Sequence, residues 1–313
     1  MQLDIFLNPS ANRNTSQTNW SKVEEALKKQ SFEVRLKTSS SRENLISTIL
    51  ESINGGARKL VAAGGDGTFQ ILLDSVMSAR IKHPELLNEL FIGAIGMGTS
   101  NDFHKPFTPE KMLGGFPAKV REEASKKHDV LMLTVKSPDG SQSVRHFLQS
   151  SNVGAIPVTN EVLTQERGFL HSLYNYCYPL GLPLASLYVL FTYEGFEGVV
   201  QVGEEKFEGL FTGMTLLKRP YMAGSFVFKT NRVCDDGLMD LGLCKKVGAF
   251  RSLALTGAFQ NQGFGGHPEV IFREISSVSV MFSKPQTVDI DGELIKATEA
   301  TWKVLPKALN ILG

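Results

Sequence analysis

The chain has 313 residues, 42% hydrophobic and 21% charged, with 33 Lys and Arg against 32 Asp and Glu. At roughly 100–200 residues per domain this suggests about two domains, and the composition is that of a globular protein, not a disordered one. A formal net charge of +1 provides no bulk field for nucleic acid, and Cys177, Cys234 and Cys244 form no CxxC, which argues against a disulfide framework or a thiolate zinc site and fits a reducing cytoplasm.

The opening MQLDIFLNPS has neither a basic n-region nor an apolar h-region, so it does not read as a signal peptide. Leu3 to Leu7 is a short apolar run ended by Asn8-Pro9. Trp20, Val23 and Leu27 fall at helical spacing within 17–30, and Phe32, Val34 and Leu36 alternate with charged residues as a strand would. A helix is predicted from Asn44 to Ile53, stopped by Gly55-Gly56, and a strand over Lys59 to Ala63. A helix over 68–80 and a strand from Phe91 to Ile95 follow. Strands alternating with helices imply a parallel sheet with flanking helices.

Near residue 125 the pattern changes. Strands are predicted over 129–136, 144–151, 187–193, 198–202, 207–217, 238–244 and 275–282, with turn signals at Pro138-Asp139-Gly140 and Asp235-Asp236-Gly237. Helical patterns fall near 157–180 and 247–260. The most apolar stretch, 176–193, contains Pro179 and Pro183 and falls short of the about 20 apolar residues a membrane span needs. The resulting plan is an α/β nucleotide-binding domain over 1–125, a β-rich sandwich over 126–295, and a tail over 296–313 packing back on the first domain.

Three motifs carry chemistry. Gly64-Gly65-Asp66-Gly67-Thr68 follows a strand and opens a helix. Its glycines allow close approach of a phosphate to helix-terminal N–H groups; a tight capped turn is the other reading. It fits neither GxxxxGK[ST] nor GxGxxG. Gly96-Met97-Gly98-Thr99-Ser100-Asn101-Asp102 follows the next strand, where ligands bind in open α/β sheets. In Asp289-Ile290-Asp291-Gly292-Glu293, strand alternation would put the three acids on one face, where a metal or an acceptor hydroxyl would give them a purpose; an exposed hairpin is the alternative. His83, His104, His128, His146, His171 and His267 show no ligand spacing, and no GxSxG elbow is present.

Taken together the motifs resemble the diacylglycerol kinase catalytic domain family, which includes bacterial lipid kinases, ceramide kinases and sphingosine kinases. Asn8-Pro9 resembles its opening turn, and Gly64 to Thr68 is identical to its Gly-Gly-Asp-Gly-Thr. Gly98 to Phe103 resembles Gly-Thr-Gly-Asn-Asp-Phe, Asn152-Val153-Gly154 resembles its Asn-x-Gly, and Asp235 to Asp240 resembles its Asp-Gly-x-x-Asp turn. Asp291-Gly292-Glu293 is identical to its late Asp-Gly-Glu. Gly96-Met97 stands where the family usually has Pro-Leu, Ser100 where it has Gly, and His104-Lys105 where it has an Ala-Arg-like pair.

The resemblance implies two domains, ATP and Mg²⁺ as cofactors, and phosphoryl transfer to the hydroxyl of a membrane lipid such as diacylglycerol. It implies Asn8, Gly64, Gly65, Gly67, Thr68, Gly98, Thr99 and Asn101 as nucleotide contacts, and Asp66 as a catalytic and metal-holding residue. Asp291 would be the general base with Glu293 its acidic partner, and Asp102 and Asp129 would join an acidic network. Asp236 with the backbone of Leu238 would hold a second, structural Mg²⁺. The implied place is the cytoplasm, peripheral at the inner membrane surface, with no nucleic-acid partner; a homodimer is compatible with it. The stretch from Phe169 to Tyr193 would line an acyl groove, dip into the membrane interface, or form ordinary core. Two rival readings share the plan. One is an NAD kinase-like enzyme, whose Asn-Glu pair Asn160-Glu161 resembles; the other is a non-catalytic lipid- or nucleotide-binding protein.

Overall fold

A computed structural model of the chain describes residues 1–11, 15–39, 41–164, 169, 173, 176, 178–222 and 226–313. The chain divides into two compact units, residues 1–130 with 305–313, and residues 131–222 with 226–304.

The first unit alternates strand and helix: β1 (Gln2–Leu7), α1 (Ser16–Lys29), β2 (Glu33–Thr38), α2 (Arg42–Asn54), β3 (Lys59–Gly64), α3 (Asp66–Lys82) and β4 (Phe91–Gly96). The pairings β1–β2, β1–β3 and β3–β4 are parallel, in the order β2-β1-β3-β4. Short strands β5 (Met112–Leu113) and β6 (Phe116–Lys119) follow, and β6 pairs antiparallel with β4, so the sheet is mixed. Trp20, Val23 and Leu27 of α1 lie on one helical face and pack with Leu3, Ile5 and Leu7, the same-face set of β1. The core continues through Val61, Ala63, Ile95 and Met97, so Met97 serves as core. Ser41 caps α2, its Oγ accepting Asn44 N at 3.1 Å. The end of the chain joins this unit: Asn310 and Ile311 pair parallel with Phe91 and Ile92, and the Gly313 carbonyl accepts Val120 N and Arg121 N.

The second unit is β-rich. Its strands are β7 (Lys126–Lys136, from 131 onward), β8 (Gln142–Phe147), β9 (Ser150–Gly154), β10 (Phe196–Val202), β11 (Glu205–Leu217), β12 (Tyr221–Met222), β13 (Phe226–Val227), β14 (Met239–Lys245), β15 (Val270–Ile275), β16 (Ser277–Ile290) and β17 (Glu293–Ile311, to 304). The pairings β7–β8, β9–β11, β9–β16, β10–β11, β10–β16, β11–β14, β12–β13, β14–β15 and β16–β17 are antiparallel. Strand β9 pairs with both β11 and β16, and β10 pairs with the same two. These four strands therefore close a ring of hydrogen bonds, in place of the two separate sheets expected of a sandwich. An apolar cluster including Leu133, Phe147, Phe196, Leu216, Leu241 and Trp302 forms the core of these strands, and a smaller one gathers Leu217, Met222, Phe228 and Phe264.

Among the described residues, helices α4 (Ala155–Thr164), α5 (Tyr178–Thr192) and α6 (Ala249–Gln262) accompany these strands. The strand expected over 187–193 is the end of α5. Leu182, Ala185 and Val189 are buried at spacings of three and four, a helical face that a run without charged residues conceals from a test of alternation. The single strand expected over 144–151 is two, with Leu148 and Gln149 between them. The run expected over 275–282 is likewise split at Ser276. Of the stretch 169–193, residues 170–172, 174, 175 and 177 lie outside the described residues. Among the described residues no helix is long and apolar enough to cross a membrane.

Candidate functional site

In the first unit the strand register levels three motif-bearing ends. Leu7 pairs with Ala63, and Gly64 with Gly96, so Asn8, Gly65 and Met97 leave the sheet side by side at its carboxyl edge. Asn8 N donates to Ala63 O at 2.9 Å, and Asn8 Nδ2 donates to Thr68 Oγ1 at 3.1 Å. Met97 N donates to Gly64 O at 2.8 Å. The two glycine turns touch: a Cβ on Gly98 would lie 2.4 Å from Gly65 Cα, and one on Gly64 would lie 2.4 Å from Thr68 Oγ1. Gly67 differs. It is exposed on the first turn of α3, and a Cβ there would meet nothing within 4 Å. Packing does not demand glycine at this position.

Asn101 adopts φ 49° and ψ 42° and clasps Gly98, its Oδ1 accepting Gly98 N and its Nδ2 donating to Gly98 O, both at 2.9 Å. Its amide thus shapes the second turn, while Thr99 is exposed upon it. Asp66 is half-buried and joins the two turns: Oδ2 accepts Asp102 N at 3.1 Å and Oδ1 accepts Phe103 N at 3.2 Å. Partial burial pushes its carboxyl up from the usual range, the two amides pull it back, and the nearby Asp102 charge adds to the rise. Buried Asp102 pairs with Lys105, Oδ1 to Nζ 2.6 Å. A narrow crevice between the turns is lined by Gly64, Asp66, Gly96, Asn101, Phe103 and His104. The departures from the family pattern interlock here, because a Cβ on Gly96 would lie 2.8 Å from His104 Cδ2 and 3.0 Å from Asn101 Cγ. Asp129 is buried, and its Oδ1 accepts Lys307 N at 2.8 Å, where Lys307 has a positive φ of 49°.

In the second unit the late acidic motif is a hairpin. Ile290 pairs with Glu293, and the two residues between them have positive φ, Asp291 at 47° and Gly292 at 92°, as a two-residue turn requires. The three acids therefore do not continue one strand face. Asp291 Oδ1 accepts Ser150 N at 2.8 Å, while Oδ2 accepts Leu148 N at 3.1 Å and Gln149 N at 3.3 Å. The break between β8 and β9 supplies two of these amides and the first residue of β9 the third. Glu293 Oε1 lies 3.8 Å from Arg145 Nε.

Asp289 points elsewhere. It is 3% exposed, and its two oxygens each accept one bond at 3.1 Å, from Asn152 Nδ2 and from Asn160 Nδ2. Burial pushes its carboxyl up to about 6, against the two asparagines and Gly292 N. Asn152 stands in the family-like Asn-x-Gly and Asn160 in the NAD kinase-like Asn-Glu pair, but nothing in their spacing shows that they meet the same carboxylate.

Asp236 and Leu238, which the resemblance implied as ligands of a second Mg²⁺, hold the Lys218 ammonium: Nζ donates to Asp236 Oδ1 at 2.6 Å and to Leu238 O at 2.8 Å. Among the described residues no group of three or more His, Cys, Asp or Glu side chains is arranged to hold a metal ion.

Comparison with known proteins agrees with the motifs. The chain is 21% identical over 292 residues to a Shewanella frigidimarina protein named "Probable lipid kinase YegS-like", covering 92% of this chain and 86% of that one. The crystal structure of a diacylglycerol kinase from Bacillus anthracis superposes with a TM-score of 0.69 at 17% identity, covering 99% of this chain and 96% of that one, which establishes the shared fold. The resemblance read from the motifs is borne out: residues 2–133 match the model of the diacylglycerol kinase catalytic domain.

Proposed function

We propose that the chain is an ATP-dependent lipid kinase with diacylglycerol as its acceptor. The observation that carries this reading is the pair of touching glycine turns with the open face of Gly67 beside them. In the proposed reaction the acceptor oxygen bonds to the γ-phosphorus, the bond from that phosphorus to the β–γ bridging oxygen breaks, and ADP leaves. The hydroxyl proton passes to the Asp291 carboxylate, which the amides of Leu148, Gln149 and Ser150 hold in one orientation. Glu293 assists from the adjoining strand.

Gly64, Gly65, Gly67, Gly98 and the α3 N-terminus receive the phosphates. Asn8, Thr68 and Asn101 keep the turns in shape, and Thr99 faces the nucleotide. Asp66 is suited to Mg²⁺: it is a hard oxygen donor with one amide on each oxygen, at a place where burial and the charge of Asp102 raise its carboxyl despite the Lys105 ammonium nearby. When bound there, Mg²⁺ would neutralise phosphate charge.

The acceptor lies in a membrane, so the protein works at a membrane surface. Helix α5 contains no charged residue and exposes Leu180, Leu184, Leu187, Tyr188 and Phe191, which suits that setting. The test is transfer of labelled phosphate from Mg-ATP to a panel of lipids in mixed micelles, with NAD as a control acceptor. Labelled phosphatidic acid, absent with Asp291→Asn, is the expected result. Label on NAD alone, or nucleotide binding without transfer to any acceptor, would refute the reading.

A further inference from the structure

Lys218 follows the last residue of β11, and its side chain is 2% exposed. A buried ammonium is costly unless its donors are met by charge and by hydrogen bonds. Here both are present. Its Nζ lies 2.6 Å from Asp236 Oδ1 and 2.8 Å from Leu238 O, drawing together the carboxylate and the carbonyl of one tight turn. The turn is tied further, since Asp236 Oδ1 accepts Leu238 N at 3.1 Å and Oδ2 accepts Val233 N at 3.2 Å. Arg232 Nη1 stands 3.3 Å from Asp236 Oδ2, and Arg232 also pairs with Asp240 and Glu274. Burial works against the charged form of Asp236, yet the Lys218 bond and the two amides outweigh it and hold the carboxyl below its usual range.

The same two oxygens were implied by the family resemblance as ligands of a structural Mg²⁺. They do not fit that ion in this chain. A magnesium ion about 2.1 Å from each oxygen would fall inside the volume of the ammonium that already bridges them. We propose that the Lys218 ammonium is a tethered replacement for a divalent cation at this turn, so that the second unit keeps the Asp236–Leu238 turn closed without metal. Any Mg²⁺ requirement of the chain then belongs to the first unit. The proposal does not depend on whether the chain transfers phosphate.

The test uses the full chain without nucleotide, measuring Mn²⁺ binding by electron paramagnetic resonance and thermal unfolding in EDTA or in millimolar Mg²⁺. Wild type and Asp236→Asn should bind the same number of Mn²⁺ ions. Lys218→Ala should unfold on the order of 10 °C lower in EDTA. It should gain one Mn²⁺ site that Lys218→Ala/Asp236→Asn lacks, and recover stability in Mg²⁺. Lys218→Met, which fills the space without charge, should lose stability and recover none. Loss of a wild-type Mn²⁺ site on Asp236→Asn would overturn the proposal. So would a Lys218→Ala protein that unfolds at the wild-type temperature in EDTA, or one that is destabilised but gains no site. Should Lys218→Ala fail to fold, the comparison of wild type with Asp236→Asn still decides.

Discussion

Replacing Gly67 by Ala should raise stability and lower nucleotide affinity at once. Gly67 lies in the first turn of α3 without a positive φ, and no heavy atom lies within 4 Å of the position a Cβ would take. The new methyl therefore meets no protein atom and strains no backbone. A helical Gly→Ala change of this kind is worth about 0.5–1 kcal/mol in favour of the fold, or roughly 1–4 °C in unfolding temperature for a unit of this size. If phosphate sits on the exposed amides at the start of α3, the methyl occupies its space and displaces it from one charge-assisted hydrogen bond. Such a bond is worth about 1.5–3 kcal/mol, so affinity should fall roughly 10- to 100-fold. Titration calorimetry with Mg-ATP and a thermal melt on the same sample measure the two effects. Gly98→Ala is the contrast: its Cβ would lie 2.4 Å from Gly65 Cα, so it should lose stability, about 1–3 kcal/mol, as well as binding. Unchanged nucleotide affinity in a folded Gly67→Ala protein would refute the phosphate assignment.

Asp291→Asn should reduce transfer by roughly 10²- to 10⁴-fold with nucleotide affinity retained. It should also cost about 1–3 kcal/mol, because an amide group then faces backbone N–H donors; single-turnover kinetics and a denaturant titration check both. Asp66→Ala should weaken Mg-ATP binding itself, since the two amides that tie the second turn to the first lose their acceptor; equilibrium binding measures this, and wild-type affinity would count against it. Asp289 has a raised carboxyl, about 6 against 3.8 unfolded, so between those values the folded state binds more protons. Its contribution is fully present below about pH 4 and is lost as the pH rises through 6, by about 3 kcal/mol. Asp289→Asn should remove that slope, and parallel pH–stability profiles for the two proteins would show the reasoning to be mistaken.

What was legible in the sequence was set by neighbours in the chain. The alternation of strand and helix through residue 96, the helical face of Trp20, Val23 and Leu27, and the glycine turns at Gly64 and Gly98 all rest on short periods and on backbone requirements within a few residues. Other features depended on partners far along the chain. Asp291 gains its place from amides more than 140 positions earlier, and Asp289 is buried by Asn152 and Asn160, across comparable separations. Alternation could not show that a hairpin turn would part the two acids. Nor could the apolar run of 178–192 declare itself helical, because it carries no charged positions to mark a period. The cation at Asp236 was the least legible of all. The turn is written locally in Asp235 to Leu238, but the group that fills it comes from the end of another strand, and only the packing of β11 beside β14 brings the Lys218 ammonium to it.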